Sequence, residues 1–390
     1  MLSNFFSVNA KDNKTKARTG VIHTKHGDVQ TPAFVPVATS ATLKSLSSEE
    51  ITSTKTQLAF VNTYHLHLRP GDELIKKLGG VHKFMNCQGP LISDSGGFQV
   101  FSLGFGLEQG IGKIANIFID EQIKTDNLPK KESLVKIDDN GVTFRSHIDG
   151  KKLRLTPEIS IKIQENLGTD IALAFDECTS PLSDWDYTKK ALDRTHAWAN
   201  ICLDVHSKKD QALYGIVQGG HFDDLRTEAC EFMSNSKFDG FGIGGDLGRS
   251  KKEMLQIVEF CLDRLPKEKP IHILGIGEID DIFNIIEKGA DTFDCVMPSR
   301  FGRVGQILTD NKEKDNNTSR KFSYDITKSK YESDSGPLVP GCNCWVCQNY
   351  SKAYVHHLFK AKELLGYRLA TFHNVYFLNN LVEQIRNSII

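Results

Sequence analysis

The chain has 390 residues, and its 48 Lys and Arg nearly balance its 49 Asp and Glu, for a formal net charge of −1. A hydrophobic fraction of 39% and a charged fraction of 25% are globular values, which excludes wholesale disorder and a collagen-like repeat. No run of about 18 apolar residues occurs, so the sequence predicts no membrane-spanning helix. The N-terminal residues do not resemble a secretory signal, and we expect a cytoplasmic protein.

The N-terminal part of the chain contains a candidate β-hairpin. It covers about residues 18–32 and turns near His26 and Gly27. We expect this hairpin to cap the bottom of the domain that follows.

Eight short apolar runs then recur along the chain, and each ends at a polar residue or a glycine. They lie at about residues 34–40, 58–63, 90–97, 170–177, 213–220, 241–245, 271–277 and 292–298. Continuous apolar runs are typical of buried parallel strands. Amphipathic stretches between them, such as 157–167, 251–265 and 279–288, predict helices. The alternation predicts an α/β protein with a (β/α)8 TIM barrel.

The active sites of such barrels lie at the C-terminal ends of the strands. Six residues that end apolar runs are therefore candidates for a site: Asp94, Asp176, Gln218, Gly245, Gly275 and Asp294. Any one of these aspartates could instead be the N-cap of the next helix. As a set at one barrel mouth, they favour a site.

Three stretches depart from the barrel pattern. Residues 133–155 contain the turn signals Asn140-Gly141 and Asp149-Gly150, which predict an inserted β-hairpin after the third strand. Residues from about 104 to 130 are predicted to form a surface loop, and residues 310–336 a flexible, solvated excursion. We expect two units: the barrel over 1–310, with an insertion at about 104–155, and a smaller subdomain with a C-terminal helix over 311–390.

The cysteines point to a metal site. Six of the nine are isolated, whereas Cys342, Cys344 and Cys347 fall within six residues. Three thiolates at this spacing favour Zn²⁺, which takes a fourth tetrahedral ligand. His356, His357 and His373 are the candidates downstream, and the spacing alone leaves the choice open. No potential general base accompanies the cluster, so we expect a structural Zn²⁺, one per chain.

Asp94 and Asp294 form a candidate catalytic pair at the predicted third and eighth strand ends. Two carboxylates beside a sugar carbon can exchange a substituent with retention, one as nucleophile and the other as acid and base. Asp176 and Gln218 offer acceptor and amide groups that suit the edge of a purine-like ligand. Glycines at 244, 245 and 275 allow the backbone to approach a flat ring.

The motifs SDSGGFQVFSL (93–103), FRSHIDG (144–150), LTPE (155–158), FDEC (175–178), GIVQGG (215–220), LGIG (274–277), FDCVMPSR (293–300) and CNCWVC (342–347) resemble those of bacterial tRNA-guanine transglycosylases, also called queuine tRNA-ribosyltransferases. The resemblance extends from about residue 16 to the end of the chain. It implies a TIM-barrel enzyme that replaces guanine at the wobble position (34) of a tRNA anticodon with a 7-deazaguanine base, a step in queuosine biosynthesis.

The resemblance also implies residue roles. Asp294 matches the nucleophile, and Asp94 the general acid and base. Substrate-binding positions are matched by Ser95, Gly96, Gly97, Phe98, Asp176, Gln218, Gly245 and Leu274, with Phe98 and Leu274 on either side of the base. His373 matches the fourth zinc ligand, beside Cys342, Cys344 and Cys347. Two stretches match tRNA-contacting regions: Gly275, Ile276, Gly277, Glu278, Ile279, Asp280 and Asp281, then Ser299, Arg300, Phe301, Gly302 and Arg303. A homodimer is expected on the resemblance alone.

The loop after Gly245 departs from the family. The usual bacterial pattern is Gly-Gly-Leu-Ala-Val-Gly-Glu, whereas this chain has Gly244-Gly245-Asp246-Leu247-Gly248-Arg249 and is one residue shorter. The loss of a Val side chain favours acceptance of the bulky base queuine, whereas Cys178 matches the form that uses 7-aminomethyl-7-deazaguanine. We expect the aminomethyl base first and queuine as well.

Other hypotheses rank lower. A non-catalytic tRNA-binding subunit of the same fold would lack the catalytic carboxylates, and both are present here. An archaeal-type transglycosylase would bring an added RNA-binding domain that the sequence does not show. An unrelated barrel glycosidase would not account for the cysteine cluster.

Overall fold

The protein is described by a computed structural model that covers residues 4–101, 135–310 and 322–389. Eight parallel strands at its centre follow the eight apolar runs. They are β4 (Ala33–Pro36), β5 (Ala59–Val61), β6 (Leu91–Ser93), β10 (Ile171–Leu173), β11 (Ala212–Val217), β12 (Gly240–Ile243), β13 (Ile271–Ile273) and β14 (Thr292–Cys295). The strand order is β4-β14-β13-β12-β11-β10-β6-β5, and a parallel bridge between Val37 and Phe60 joins the two edges. The predicted (β/α)8 TIM barrel is confirmed.

Side chains fill the interior of the barrel. Val35, Phe60, Ile92, Leu173 and Ile216 are buried members of one apolar cluster that spans the strands. Because such a core is close-packed, the rim at the strand ends is where a ligand can bind.

The N-terminal residues form a three-stranded antiparallel sheet of β1 (Phe6–Lys11), β2 (Arg18–Thr24) and β3 (Gly27–Thr31). The predicted hairpin is β2 and β3, which turn at residues 25–26. The first strand, β1, was not predicted, because its side chains alternate between half-buried and exposed. Phe5, Ile22 and Val29 join the interior cluster, so this sheet closes the N-terminal end of the barrel.

A buried carboxylate fastens this sheet to the barrel. The Asp170 carboxylate is hydrogen-bonded to His26 (2.7 Å), to His82 (3.0 Å) and to the amide of Leu91 (2.8 Å). Burial alone would raise the pKa of Asp170, but these hydrogen bonds outweigh it and lower the pKa. The two imidazoles stack with 3.6 Å between their centroids. Each imidazole is hydrogen-bonded to a different oxygen of the Asp170 carboxylate, which thereby connects the turn of the N-terminal sheet to the barrel.

Helices surround the barrel. They are α1 (Ser48–Ser53), α2 (Thr63–Leu68), α3 (Asp72–Lys77), α4 (Val81–Met85), α5 (Pro157–Leu167), α6 (Trp185–Val205), α7 (Asp223–Ser234), α8 (Lys251–Arg264), α9 (Ile279–Glu287) and α10 (Met297–Gly302). The three predicted helices are α5, α8 and α9, which confirms them to within a residue. Helix α5 has the expected boundaries: Thr156 accepts a hydrogen bond from the amide of Ile159, Pro157 opens the helix, and Gly168 ends it with φ 71°.

The insertion after the third barrel strand is a three-stranded sheet of β7 (Val135–Asp138), β8 (Gly141–Arg145) and β9 (Lys152–Leu155). Its two turns include the predicted Asn140-Gly141 and Asp149-Gly150 pairs. A Cβ at Gly96 would lie 3.3 Å from Leu155, so β9 packs against the loop that follows β6. The loop predicted at about 104–130 lies wholly outside the described residues.

The C-terminal part contains β15 (Gln306–Leu308), β16 (Ser323–Asp325), a 3₁₀ turn at Ser329–Tyr331, and helices α11 (Trp345–Asn349), α12 (Lys352–Lys360) and α13 (Leu364–Ser388). Where the excursion predicted over 310–336 is described, it is folded, and Tyr324, Ile326 and Tyr331 are buried. Helix α13 packs against α10, where a Cβ at Gly302 would lie 2.5 Å from Thr371 Oγ1. None of the helices in the described ranges has the length and apolar character to cross a membrane.

Candidate active site and metal centre

Asp94 follows β6 and is held by neutral donors from neighbouring elements. Its carboxylate accepts hydrogen bonds from Asn62 Nδ2 (2.6 Å), from the backbone amide of Thr63 (2.7 Å) and from Gln99 Nε2 (2.6 Å). Asn62 and Thr63 directly follow the second barrel strand, so the connections after two adjacent strands fix this carboxylate. Asp94 is 7% exposed.

Asp294 lies in β14, the eighth barrel strand, at its C-terminal end. Its Oδ1 atom is 3.2 Å from His272 Nε2 and accepts a hydrogen bond from the amide of Gly275 at 3.0 Å. The carboxylate side chain is 13% exposed, whereas His272 is fully buried. Asp294 Oδ1 is therefore held by two contacts, and the carboxylate is partly accessible at the rim of the barrel.

Asp176, Gln218 and Gly245 lie at the ends of the fourth, fifth and sixth strands. Gln218 Nε2 donates to Asp176 Oδ2 at 2.6 Å, and Ser95 Oγ donates to Asp176 Oδ1 at 3.1 Å. A Cβ at Gly245 would overlap Gln218 Oε1, and Gly245 has φ 78°, a conformation that favours glycine. Gln218 Oε1 is buried without a hydrogen-bond partner among the described residues. It is thus an acceptor oriented within a polar site.

The carboxylates at this rim influence one another. Burial raises the pKa of Asp94 to about 6 against the lowering effect of its donors, and the charge of Asp294 adds to the rise. Burial likewise raises the pKa of Asp176 to about 6, and the charge of Asp94 contributes. Titratable groups with pKa values near the working pH are typical of general acids and bases.

The remaining predicted substrate-binding residues lie around these carboxylates. Ser95 contacts Asp176 directly, and a Cβ at Gly97 would lie 2.9 Å from the Asp176 carbonyl oxygen. The motif that carries Asp94 is therefore packed on the fourth strand end. Phe98 is 50% exposed at the rim, and Leu274 packs beside Gly244.

The residues predicted to contact tRNA differ in accessibility. Three are exposed (Gly275, Glu278 and Arg300), and three are half-buried (Asp280, Phe301 and Arg303). The other six are buried: Ile276, Gly277, Ile279, Asp281, Ser299 and Gly302. Glu278 and Asp281 pair with Lys251 at 2.5 and 3.1 Å. Six of the twelve predicted residues are therefore at least partly accessible to a ligand at this rim.

The C-terminal cysteines converge on one histidine. His373 Nδ1 lies 3.9 Å from Cys342 Sγ, 3.5 Å from Cys344 Sγ and 3.3 Å from Cys347 Sγ. His373 Nε2 lies 2.9 Å from the carbonyl oxygen of Leu308, which can only accept, so Nδ1 presents its lone pair to the sulfurs. These four ligand atoms lie within 4.8 Å of one another and can hold a metal ion. His356 instead contacts the carbonyl of Ile326.

Helix α13 brings His373 to the cysteines. His373 lies inside the 25-residue α13 and is fully buried. The short helix α11 starts at the cluster, because Cys344 Sγ accepts a hydrogen bond from the amide of Cys347 at 3.3 Å.

Several residues of the site were missed by sequence reasoning. Asn62 ends an apolar run and could have been found by the strand-end rule, and Gln99 lies in the Asp94 motif. His272 lies inside β13. His221 and Arg226 follow the fifth barrel strand, β11, and both contact Asp246 in the loop after β12. Their roles depend on contacts between separate strands, for which the sequence carries no local signal.

Comparison with known proteins agrees with this geometry. The family model described as "TGT: Queuine tRNA-ribosyltransferase" matches residues 12–390. A relative from Archaeoglobus fulgidus is 50% identical over 378 residues, which cover 96% of this chain and 93% of the relative. Proteins named queuine tRNA-ribosyltransferase are 42% identical in Halothermothrix orenii (98% of this chain, 93% of the relative) and 42% identical in Staphylococcus aureus (96% and 89%). The chain therefore belongs to the queuine tRNA-ribosyltransferase family, a family of pentosyltransferase enzymes.

Proposed function

We propose that this enzyme exchanges guanine at the wobble position of tRNA for 7-aminomethyl-7-deazaguanine through a covalent ribosyl–Asp294 intermediate. The observation that supports this most directly is that Asp94 and Asp294 lie at the C-terminal ends of two strands of one closed barrel. The charge of Asp294 also adds to the rise in the pKa of Asp94. Two carboxylates at one barrel mouth with different environments can divide the roles of nucleophile and acid–base catalyst.

The proposed steps follow from the positions of these groups. Asp294 attacks C1′ of the ribose, and guanine leaves with a proton supplied by Asp94. The incoming base returns this proton to Asp94 and displaces Asp294, so the ribose keeps its configuration. A carboxyl group with a pKa of about 6 can donate and accept a proton near neutral pH.

Base recognition is assigned to Asp176, Gln218 and Gly245. The Asp176 carboxylate and the unpartnered Gln218 Oε1 are acceptors, and the edge of guanine that carries its N1–H and 2-amino group is a donor edge. Phe98 and Leu274 would lie against the ring faces. The target nucleotide has to be turned out of its loop, because the chemistry occurs at its glycosidic carbon.

The same proposal includes the metal and the partners. One structural Zn²⁺ would be held by Cys342, Cys344, Cys347 and His373. This ion would cross-link the segment that contains α11 to helix α13. The exposed Arg300 and the partly exposed Arg303 suit the phosphates of tRNA. A cytoplasmic homodimer remains part of the proposal through the family resemblance.

A competition experiment tests which base the enzyme incorporates into tRNA. Labelled guanine should enter a tRNA with guanine at position 34, and 7-aminomethyl-7-deazaguanine should compete with it. We expect queuine to be incorporated as well, because the short loop after Gly245 leaves room worth about 1–3 kcal/mol of ligand contact. A tRNA with adenine at position 34 is the control. A queuine rate at background, with normal use of the aminomethyl base, would show that the loop change does not open the pocket.

Acid should weaken base binding through Asp176. The pKa of Asp176 is about 6, so below that pH the carboxylate gains a proton and loses acceptor capacity. We expect KM for the free base to rise about tenfold per pH unit below pH 6, as expected for one ionisation. Steady-state kinetics from pH 5 to pH 8 measure this change.

Variants identify the group whose ionisation causes this change in KM. Asp176→Asn should raise KM at pH 7.5 and flatten the profile. Asp138→Asn is the control, since the exposed Asp138 pairs with Arg154 and has a pKa of about 2. A profile that stays steep in Asp176→Asn would assign the ionisation to another group.

A further inference from the structure

We propose that Arg226 is a positioning residue that sets the distance between the two loops that recognise the base. The inference rests on the proposed function, because it concerns the site that binds the base. Arg226 lies in the first turn of α7 and is 1% exposed, so it does not contact RNA or solvent.

The Arg226 side chain donates four hydrogen bonds to backbone carbonyls at the mouth of the barrel. Nε donates to Gly220 O (2.7 Å), and Nη1 donates to Val217 O (2.9 Å). Nη2 donates to Gly244 O (3.3 Å) and to Asp246 O (2.6 Å). The planar guanidinium therefore joins the ends of β11 and β12.

These carbonyls bracket the two base-recognition residues. Val217 and Gly220 lie on either side of Gln218, and Gly244 and Asp246 lie on either side of Gly245. The two loops touch, since a Cβ at Gly245 would overlap the Gln218 amide oxygen. A change in the Arg226 bonds should thus shift Gln218 relative to Gly245 and change the width of the base site.

The Asp246 side chain strengthens the same arrangement. Its carboxylate is 2.8 Å from His221 Nδ1 and accepts a hydrogen bond from the amide of Gly248 at 2.8 Å. Asp246 is thus occupied by other donors while its carbonyl binds Arg226. A lysine cannot replace the guanidinium, because one ammonium cannot reach carbonyls of both loops in a fixed fork.

The test uses Arg226→Lys, with exchange of labelled guanine into a wobble-guanine tRNA as the assay. We expect KM for the free base to rise about tenfold, with kcat and KM for tRNA nearly unchanged, the pattern of lost binding rather than lost chemistry. Arg264→Lys is the matched control. Arg264 is exposed on α8 and donates to Phe260 O, far along the chain from these loops.

A double-mutant cycle separates positioning from general destabilisation. If Arg226 acts through Gln218, the KM effect of Arg226→Lys should shrink in a Gln218→Ala background, whereas a loss of stability alone should give additive effects. An unchanged KM in Arg226→Lys, or full additivity, would overturn the inference.

Failure of the proposed function and failure of the variant to fold give different results. If wild-type protein exchanges no guanine, the proposed function fails, and the inference with it. If Arg226→Lys does not fold, Arg226→Gln avoids a buried ammonium and should show the same rise in KM. Insolubility of both variants would assign Arg226 to folding and overturn the positioning role.

Discussion

Asp294→Asn is expected to abolish formation of a protein–RNA adduct that resists denaturation. Asparagine has the size of aspartate and can keep the contact with the Gly275 amide, which is 3.0 Å from Asp294 Oδ1, but its amide cannot attack C1′. Loss of a nucleophile costs about 10⁴-fold or more in kcat. Electrophoresis of enzyme, labelled tRNA and free base under denaturing conditions measures the adduct.

Asp94→Asn is the informative comparison. This variant should bind RNA and yet lose turnover, because no group remains to protonate the leaving guanine. Asp138→Asn should behave as wild type, since Asp138 lies on the inserted sheet and pairs with Arg154. An adduct that persists in Asp294→Asn and vanishes in Asp94→Asn would reverse the two roles.

The barrel was predictable because its strands have a simple physical signature. Residues such as Ile171 to Leu173 are buried on both faces, so every position is apolar and the run ends where the chain reaches the rim. The strand β1 has no such signature, since only one face is half-buried. The segment around Tyr324 looked solvated because its few buried side chains are separated by polar ones.

The residues of the candidate site could be predicted from the sequence, but the hydrogen bonds between them could not. Asp94, Asp176, Gln218 and Asp294 each end an apolar run, and parallel strands bring such ends together. The residues that contact these side chains come from distant positions in the sequence. Asn62 is 32 positions from Asp94, and His272 is 22 positions from Asp294. Arg226 looked like any charged residue in an amphipathic helix, and only the fold shows that its side chain is buried.

Removal of the metal should destabilise the C-terminal part of the protein. Zinc sites with thiolate and imidazole ligands contribute about 10–16 kcal/mol in isolated zinc-binding peptides, as much as the whole stability of a typical domain. Cys344 is fully buried, caps α11 and lies 3.5 Å from His373 Nδ1. We expect Cys344→Ala to lose the one zinc ion per chain and to unfold at a much lower temperature, measured by elemental analysis and calorimetry.

The matched control is Cys202→Ala, because Cys202 is equally buried but lies in α6, where its sulfur accepts a hydrogen bond from the amide of Phe175 at 3.3 Å. This variant loses core packing without losing a ligand, so it should keep its zinc and lose only about 1–3 kcal/mol. The comparison separates a metal effect from a cavity effect. Freshly purified, unchelated wild-type protein with no zinc would refute the site, and equal losses of stability in both variants would show that Cys344 stabilises the fold by packing alone.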